Sequence, residues 1–303
     1  MLDFKKITPE DRERYMQMLL QSGARGCEFS FSNLYLWGRQ RLTFVHDQAL
    51  LFSQFDRRTV YPFPVGGGDK RAAVEAIIED AHQRGIPCRI TGLTEEDIRT
   101  LQTLFPDRFF YHCDRDSFDY VYAIDDLADL KGRKYQKKRN HYNRFCANFP
   151  HYTVRPLDEA LLPGVKAMVD RWYDARLEAD PKADFLMERR ALDKALRDYA
   201  SLDMDSLVLL DGDEVLAFTM GSRLSQDTMD IHFEKAREDV EGAYAAINCE
   251  FARYLRQKYP WLQYLNREED MGIPGLRKAK ESYLPHHMQE KCWAHLREDE
   301  YDY

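Results

Sequence analysis

Hydrophobic and polar positions change period repeatedly along the chain, which divides it into short strands and helices. Tyr15, Met18 and Leu19 fall on one side of a helix predicted over 9–22. Residues 43–61 read as a hairpin: Thr43 to Val45, a turn at Asp47-Gln48, then Leu50 to Phe55. Gly66-Gly67-Gly68-Asp69 leads into a helix from Lys70 to Gln83, with Asp69 as its N-cap. Gly85-Ile86-Pro87 ends that helix and Cys88 to Ile90 restarts a strand. Thr94, with Glu96 and Asp97 behind it, caps a helix over 94–104, and Phe118 to Ile124 alternate as a strand.

The second half runs in a similar order. A strand at Tyr152 to Arg155 precedes helices over 158–179 and 187–200. Ser206 to Leu210 and Glu214 to Leu224 flank Asp211-Gly212-Asp213, a hairpin signal. Thr228 to Glu234 is a further strand and 242–258 a long helix. Trp261 to Asn266 is a strand, Pro274 to Ser282 a short helix, and Met288 to His295 a closing strand. The first half gives a shorter version of this order. The pattern predicts an α/β (α+β) protein built from two copies of one unit, divided as 1–128, a basic connecting helix over 129–150, and 151–303.

Bulk numbers narrow the setting. The chain has 303 residues, 44% hydrophobic and 32% charged, with a net charge of −8. That is ordinary globular composition, with ample material for a core and no general affinity for nucleic acid. No run approaches the roughly 20 apolar residues of a membrane span, and the N-terminus does not read as a signal peptide. The cysteines at 27, 88, 113, 146, 249 and 292 form no CxxC pair, so reduced thiols and a cytoplasmic location are expected.

Against this acidic background, residues 131–144 hold seven Lys or Arg and no acid. At helical spacing Tyr135, Tyr142, Phe145, Cys146 and Phe149 share one face. Arg133, Lys134, Lys137, His141 and Arg144 share an arc of about 100° beside it. Lys138 falls among the aromatics and Arg139 borders them, which makes these two better candidates for a specific contact than the outward stripe. The segment reads either as an anion- or RNA-binding helix or as a solvated linker whose Lys138 snorkels.

Other segments carry candidate chemistry. Asn266 to Lys280 passes from a strand end into a helix through Pro274, and alternation puts Asn266, Glu268 and Asp270 on one side. Carboxylates there could hold an amine or act as a base; a polar turn with local ion pairs is the plain alternative. His232 between Asp230 and Glu234 reads as a general base with an orienting acid or as an exposed strand face. Asn248 interrupts the apolar stripe of Tyr244, Ile247, Phe251, Tyr254 and Leu255, and must find hydrogen-bond partners. Gly66 to Lys70 lacks phosphate-loop spacing, and His286-His287 lacks partners at ligand spacing, so no metal is expected.

Taken together, three stretches resemble a known family. Leu130 through Phe145 resembles its central basic motif. Cys27-Glu28-Phe29-Ser30-Phe31-Ser32-Asn33-Leu34-Tyr35-Leu36-Trp37 resembles its N-terminal motif. Asn266 to Asp270, with Gly275 to Pro285, resembles its C-terminal one. The family is the bacterial group similar to the catalytic C-terminal domain of phosphatidylglycerol lysyltransferase, and the resemblance covers essentially the whole chain. It implies two tandem GNAT-like (GCN5-related N-acetyltransferase-like) domains with mixed sheets flanked by helices, related to the Fem aminoacyltransferases.

The resemblance also implies an aminoacyl or acyl transferase. Its donor would be aminoacyl-tRNA, its acceptor an amine or hydroxyl on a small molecule, peptide or lipid, and it would require no cofactor. The basic segment would meet the tRNA acceptor end. On this reading His232, Asn248, Glu268 and Asp270 form the catalytic set. Arg133, Lys134, Lys137, Lys138, Arg139, Arg144, Asn266, Arg277, Lys278 and Lys280 contact substrate or anion. Coenzyme A is the weaker donor candidate, because the stretch Lys235 to Gly242 lacks a Q/R-x-x-G-x-G/A loop and carries Glu238, Asp239 and Glu241. Two further readings stay open: an acetyl-coenzyme A-dependent N-acetyltransferase, and a non-catalytic RNA- or phospholipid-binding protein.

Overall fold

The computed structural model describes residues 1–55, 58–181 and 185–299. Residues 56–57, inside the hairpin expected over 43–61, lie outside that description. The chain opens with β1 (Lys5–Lys6), α1 (Arg12–Gln21) and α2 (Phe31–Trp37), followed by β2 (Gln40–Val45), β3 (Gln48–Phe55) and β4 (Arg58–Pro62). α3 (Lys70–Arg84), β5 (Arg89–Leu93), α4 (Glu95–Leu104) and β6 (Phe109–Cys113) come next. Then follow β7 (Asp119–Ala123), α5 (Ile124–Asp129), α6 (Gln136–Asn148), β8 (Thr153–Arg155), α7 (Leu162–Ala179) and α8 (Leu186–Asp198). The rest comprises β9 (Asp205–Asp211), β10 (Glu214–Arg223), β11 (Thr228–Ala236), α9 (Ala243–Lys258), β12 (Tyr264–Asn266), α10 (Pro274–Glu281), β13 (His287–Gln289) and β14 (Cys292–Leu296).

Local chemistry explains several boundaries. Asp69 accepts from the Arg71 and Ala72 amides and caps α3. Thr94 and Asp97 exchange bonds as a capping box at α4. Such caps stabilise a helix by about 1 kcal/mol each. The basic segment is not one helix from 131 onward: Leu130 (φ 49°) and Gly132 (φ 83°) are left-handed, so the chain breaks after α5 and restarts at Gln136.

The chain forms two compact units. Unit 1 comprises 1–120, 268–277 and 288–303; unit 2 comprises 121–267 and 278–287. This differs from the linear division expected above, because two late stretches return to the first unit. Its sheet runs β1-β2-β3-β4-β5-β14-β6, and that of unit 2 runs β8-β9-β10-β11-β12-β7-β13. In each, four antiparallel strands lead to one parallel step, β4 to β5 or β11 to β12. A helix bridges each parallel step, α3 in one and α9 in the other, as such a crossover requires. The sixth position is filled from elsewhere in the chain: β14 pairs with β5 and β6, and β7 pairs with β12.

These are the two mixed sheets flanked by helices that the resemblance implies, in the α/β organisation that the element order predicts. The expected closing strand over 288–295 is in fact two short strands in different sheets, separated at Glu290-Lys291. Cys113 and Cys292 lie opposite one another on β6 and β14 and form a disulfide, which corrects the expectation of six reduced thiols. Cys27, Cys88, Cys146 and Cys249 are free.

Candidate functional site

In unit 2, β11 and β12 pair in parallel over three residues, ending at Asp230↔Asn266. β11 runs on to Ala236 while β12 stops. On the other side of β11 the register with β10 passes from Met220↔Phe233 to Gly221↔Ile231, leaving His232 as the extra residue of a bulge. Past the end of β12, β11 therefore presents side chains beside which the sheet no longer continues.

Glu234 is the centre of this region. Arg267, the residue after β12, donates from Nη2 to Glu234 Oε1 at 2.8 Å. Asn248 of α9 donates from Nδ2 to Glu234 Oε2 at 3.2 Å. Burial works against the Arg267 charge, but Glu234, Tyr122 and Tyr283 together outweigh it, so the guanidinium stays protonated. The guanidinium carbon lies 5.1 Å from the Tyr283 ring centre and 5.7 Å from that of Tyr122.

Lys138 joins the group from α6. Its ammonium sits 3.7 Å from the centre of the Tyr283 ring, a cation–π contact. Burial, followed by the Arg267 and Lys137 charges, pulls it down to about 8, with Glu234 opposing the shift. α6 is fixed against α9 by a polar knot. The Tyr142 hydroxyl donates to Glu250 at 2.6 Å, and Arg253 donates to Tyr142 at 2.7 Å and to Glu250 at 2.9 Å. Phe145 is fully buried beside it and Tyr135 nearly so.

The remaining basic residues divide. Arg139 points inward, as expected, but it donates to the Leu130 and Gly132 carbonyls, so it closes the turn before α6 rather than facing a ligand. Arg144 pairs with Glu241 and Lys134 with Asp126. Arg133 and Lys137 are exposed and form no salt bridge among the described residues. Lys278 is also exposed, and Lys280 donates to the Arg267 carbonyl.

His232 is not on an exposed face: its side chain is 1% exposed and that of Asp230 is 0%. Its Nε2 lies 2.8 Å from the Ser222 hydroxyl and its Nδ1 3.5 Å from Asp230. Those contacts anchor the imidazole within the sheet. Asn266 is fully buried at the end of the parallel pair.

Glu268 and Asp270 belong to unit 1, and the alternation expected from Asn266 ends with them, because Glu268 (φ 59°) and Met271 (φ 53°) are left-handed. Asp270 is fully buried. It accepts from Arg277 at 2.8 and 2.9 Å, Arg115 at 3.2 Å, the Tyr120 hydroxyl at 2.5 Å and the Gly272 amide at 2.9 Å. Arg277 above all holds its carboxyl well below the usual range. The pair expected to bind an amine and an anion thus satisfies itself and fixes the loop.

Glu268 accepts from Asn33 at 2.8 Å. Beside it, the buried Lys291 ammonium lies 2.6 Å from Asp119, 3.1 Å from Glu269, 3.4 Å from Glu28 and 3.5 Å from Cys27 Sγ. Cys27, Asp119 and Glu269 bring potential metal ligands within 4.8 Å of one another, and the lysine supplies the cation they would otherwise take. Burial, with Asp119 and Glu269 adding to it, pushes the Cys27 thiol well above its ordinary value, which makes it a poor nucleophile. Sequence reading passed over Arg267 and Lys291 as site residues and weighed Glu234 only as an acid orienting His232; the stop of β12 one residue before Arg267 was the usable signal for that arginine.

Comparisons with known proteins agree with this architecture. The family described as "Phosphatidylglycerol lysyltransferase, C-terminal" matches residues 21–295. A conserved protein of unknown function from Bacteroides thetaiotaomicron VPI-5482 is 36% identical, with a TM-score of 0.92 over 98% of this chain and 100% of that one. L-PGS from Bacillus licheniformis is 16% identical, with a TM-score of 0.71 over 99% of this chain and 95% of that one. FemX is 11% identical, with a TM-score of 0.59 over 97% of each chain. These two share the fold. A comparison with curated proteins finds no match. By sequence and by fold, the chain belongs to the phosphatidylglycerol lysyltransferase C-terminal family.

Proposed function

We propose that this protein moves an aminoacyl group from aminoacyl-tRNA to an amine or hydroxyl acceptor. Family and structural neighbours support the aminoacyl- or acyl-transferase type. The observation that carries the reading is the Glu234, Asn248, Arg267 and Lys138 group, which gathers a carboxylate, an amide and two cations where β12 ends. An aminoacyl ester already has an activated carbonyl. The protein's task is to align an acceptor and stabilise the tetrahedral oxyanion. The acceptor nitrogen or oxygen attacks the carbonyl carbon and loses its proton. The bond to the tRNA ribose oxygen breaks, and that oxygen leaves protonated. Lys138 is assigned to the oxyanion, and the exposed Arg133 and Lys137 to the tRNA backbone.

Coenzyme A suits the chain less well. The acids before α9 are paired, Glu238 with Arg176, Asp239 with Arg237 and Glu241 with Arg144, so they repel a phosphate less than their number suggests. The stronger argument is steric: a Cβ at Gly242, the N-cap of α9, would lie 2.4 Å from the His141 carbonyl, so α6 backbone occupies the approach to that helix end. Calorimetry with acetyl-coenzyme A is expected to show no binding.

Among the described residues no helix is long and apolar enough to cross a membrane. A tRNA donor assigns the reaction to the cytoplasm, where the Cys113–Cys292 pair would meet reducing conditions. The acceptor is a small molecule, a peptide or a lipid headgroup. The test is incubation with radiolabelled aminoacyl-tRNAs and cell extract. Label leaving the tRNA for a second molecule, only when protein is present, supports the reading. Salt-dependent tRNA binding with no transfer from any aminoacyl-tRNA sinks it and favours a binding protein.

A further inference from the structure

The last two strands in the sheet of unit 1, β14 and β6, are buried on one face only. Phe109, Ala294 and Leu296 lie on that face, and Phe109 meets the ring of Phe105, the residue after α4. Alternation sends Phe110, His112, Trp293 and His295 to the other face. In the register Trp293 stands opposite His112, and His295 opposite Phe110. Phe110 is 45% exposed, His112 is exposed, and Trp293 and His295 are half-buried, so this face meets solvent.

Its rings are ordered. The planes of His112, Trp293 and His295 lie 14° to 26° from one another, with centres 4.9 to 6.0 Å apart. Centres at such similar separations form a triangle, not a column. The hydrogen bond between His295 Nε2 and His112 Nδ1, 3.2 Å, runs through the ring edges. The rings therefore lie side by side, and none is enclosed as the middle of a stack. Charge on this face is positive. Arg89 of β5 stands opposite His295, and the exposed Arg297 holds its guanidinium carbon 3.8 Å from the centre of the Phe110 ring. Burial, followed by His112, Arg89 and Arg58 of β4, pulls His295 down to about 4, so its imidazole is neutral at pH 7. Glu298, next to Arg297, is paired with Arg108.

We propose that this β6–β14 face binds a single-stranded nucleic-acid segment, with about two or three unpaired bases stacked on His112, Trp293 and His295 and the phosphates met by Arg89 and Arg297. Aromatic rings accept any base, because every base has a π-face, and guanidinium groups meet the backbone without reading sequence. The face is open and flat, which suits a strand; a small molecule needs a concave pocket. The arginines disfavour the other occupant a histidine pair invites, a metal cation. A double helix hides the faces of its bases, so the site discriminates against duplex. It lies in unit 1 and does not depend on the transferase reading, whose Lys138, Glu234, Asn248 and Arg267 belong to unit 2.

The test is fluorescence anisotropy of the full chain with labelled oligoadenylate and oligouridylate, each as RNA and as DNA, and with the duplex of the two. A single strand is expected to bind at least about 10-fold more tightly than the duplex. His112→Ala with Arg297→Ala is expected to weaken it about 10-fold to 100-fold. Binding should also quench tryptophan emission, and Trp293→Phe, which keeps a ring in place, should remove that quenching. The comparison of RNA with DNA identifies which strand the face takes. Equal affinity for duplex and single strand overturns the proposal, as does no binding of any strand. So does competition by free AMP or UMP as strong as by the strand. Binding that survives His112→Ala with Arg297→Ala and is lost in Arg133→Ala with Lys137→Ala assigns the strand to the basic segment, and overturns it too.

Discussion

An ammonium held down to about 8 changes state within the range where an enzyme is ordinarily assayed, and Lys138 is such a group. In the folded protein it is charged below about 8 and loses its charge as pH rises through that value. If the charge holds the oxyanion, kcat/KM has an alkaline limb near 8 that Lys138→Arg removes from the accessible range. Lys138→Ala is expected to lower kcat about 100-fold to 1000-fold at neutral pH. Asp270 gives the opposite kind of prediction. Its depressed carboxyl contributes stability above the ordinary carboxylate range and loses it as pH falls below. Asp270→Asn should cost about 3–5 kcal/mol in urea unfolding at pH 7, and less in acid. Helical spacing was enough to single out Lys138 and Asn248, because a polar residue on an apolar face needs a reason. It could not show that Asp270 and Arg277 satisfy each other, since that depends on Arg115, Asp116 and Tyr120, far away in sequence.

Among the elements, α6 combines two roles on two faces. Phe145 and the Tyr142–Glu250–Arg253 knot hold one face to α9, while Arg133, in the turn before α6, and Lys137 are exposed at the surface. Arg133→Ala with Lys137→Ala should leave the melting temperature unchanged. It should lower the slope of log K against log salt for tRNA binding, measured by filter binding, by up to about 2. An unchanged slope would remove these two from the interface. Periodicity and caps revealed most elements, including α3, α4, α9 and the β9–β10 hairpin. It missed α2, whose Phe31, Ser32, Asn33, Leu34 and Leu36 are buried around nearly the whole circumference, so no polar face marks the period. It missed β6 for the opposite reason: only Phe109 of its five residues is buried, as suits the last strand of a sheet.

At the scale of the whole molecule, the two sheets repeat one strand order, in line with the similar element order of the two halves. The exchange of β7 and β14 was not legible, because short strands do not announce which sheet they join. It predicts that fragment 1–128, the first domain a linear reading would cut, lacks the strand between β5 and β6 and does not form a protease-resistant core. A cooperatively melting 1–128 fragment would contradict this. During synthesis the same arrangement imposes a wait. Cys292 follows Cys113 by 179 residues, so at about 5–20 residues per second the facing edges of β5 and β6 stand open for roughly 10–40 s. Open strand edges are where chains stick to one another. β14 therefore acts as a latch on the beginning of the protein, and a ribosome stalled before Cys292 would hold a first unit that is nearly all made and still unable to close.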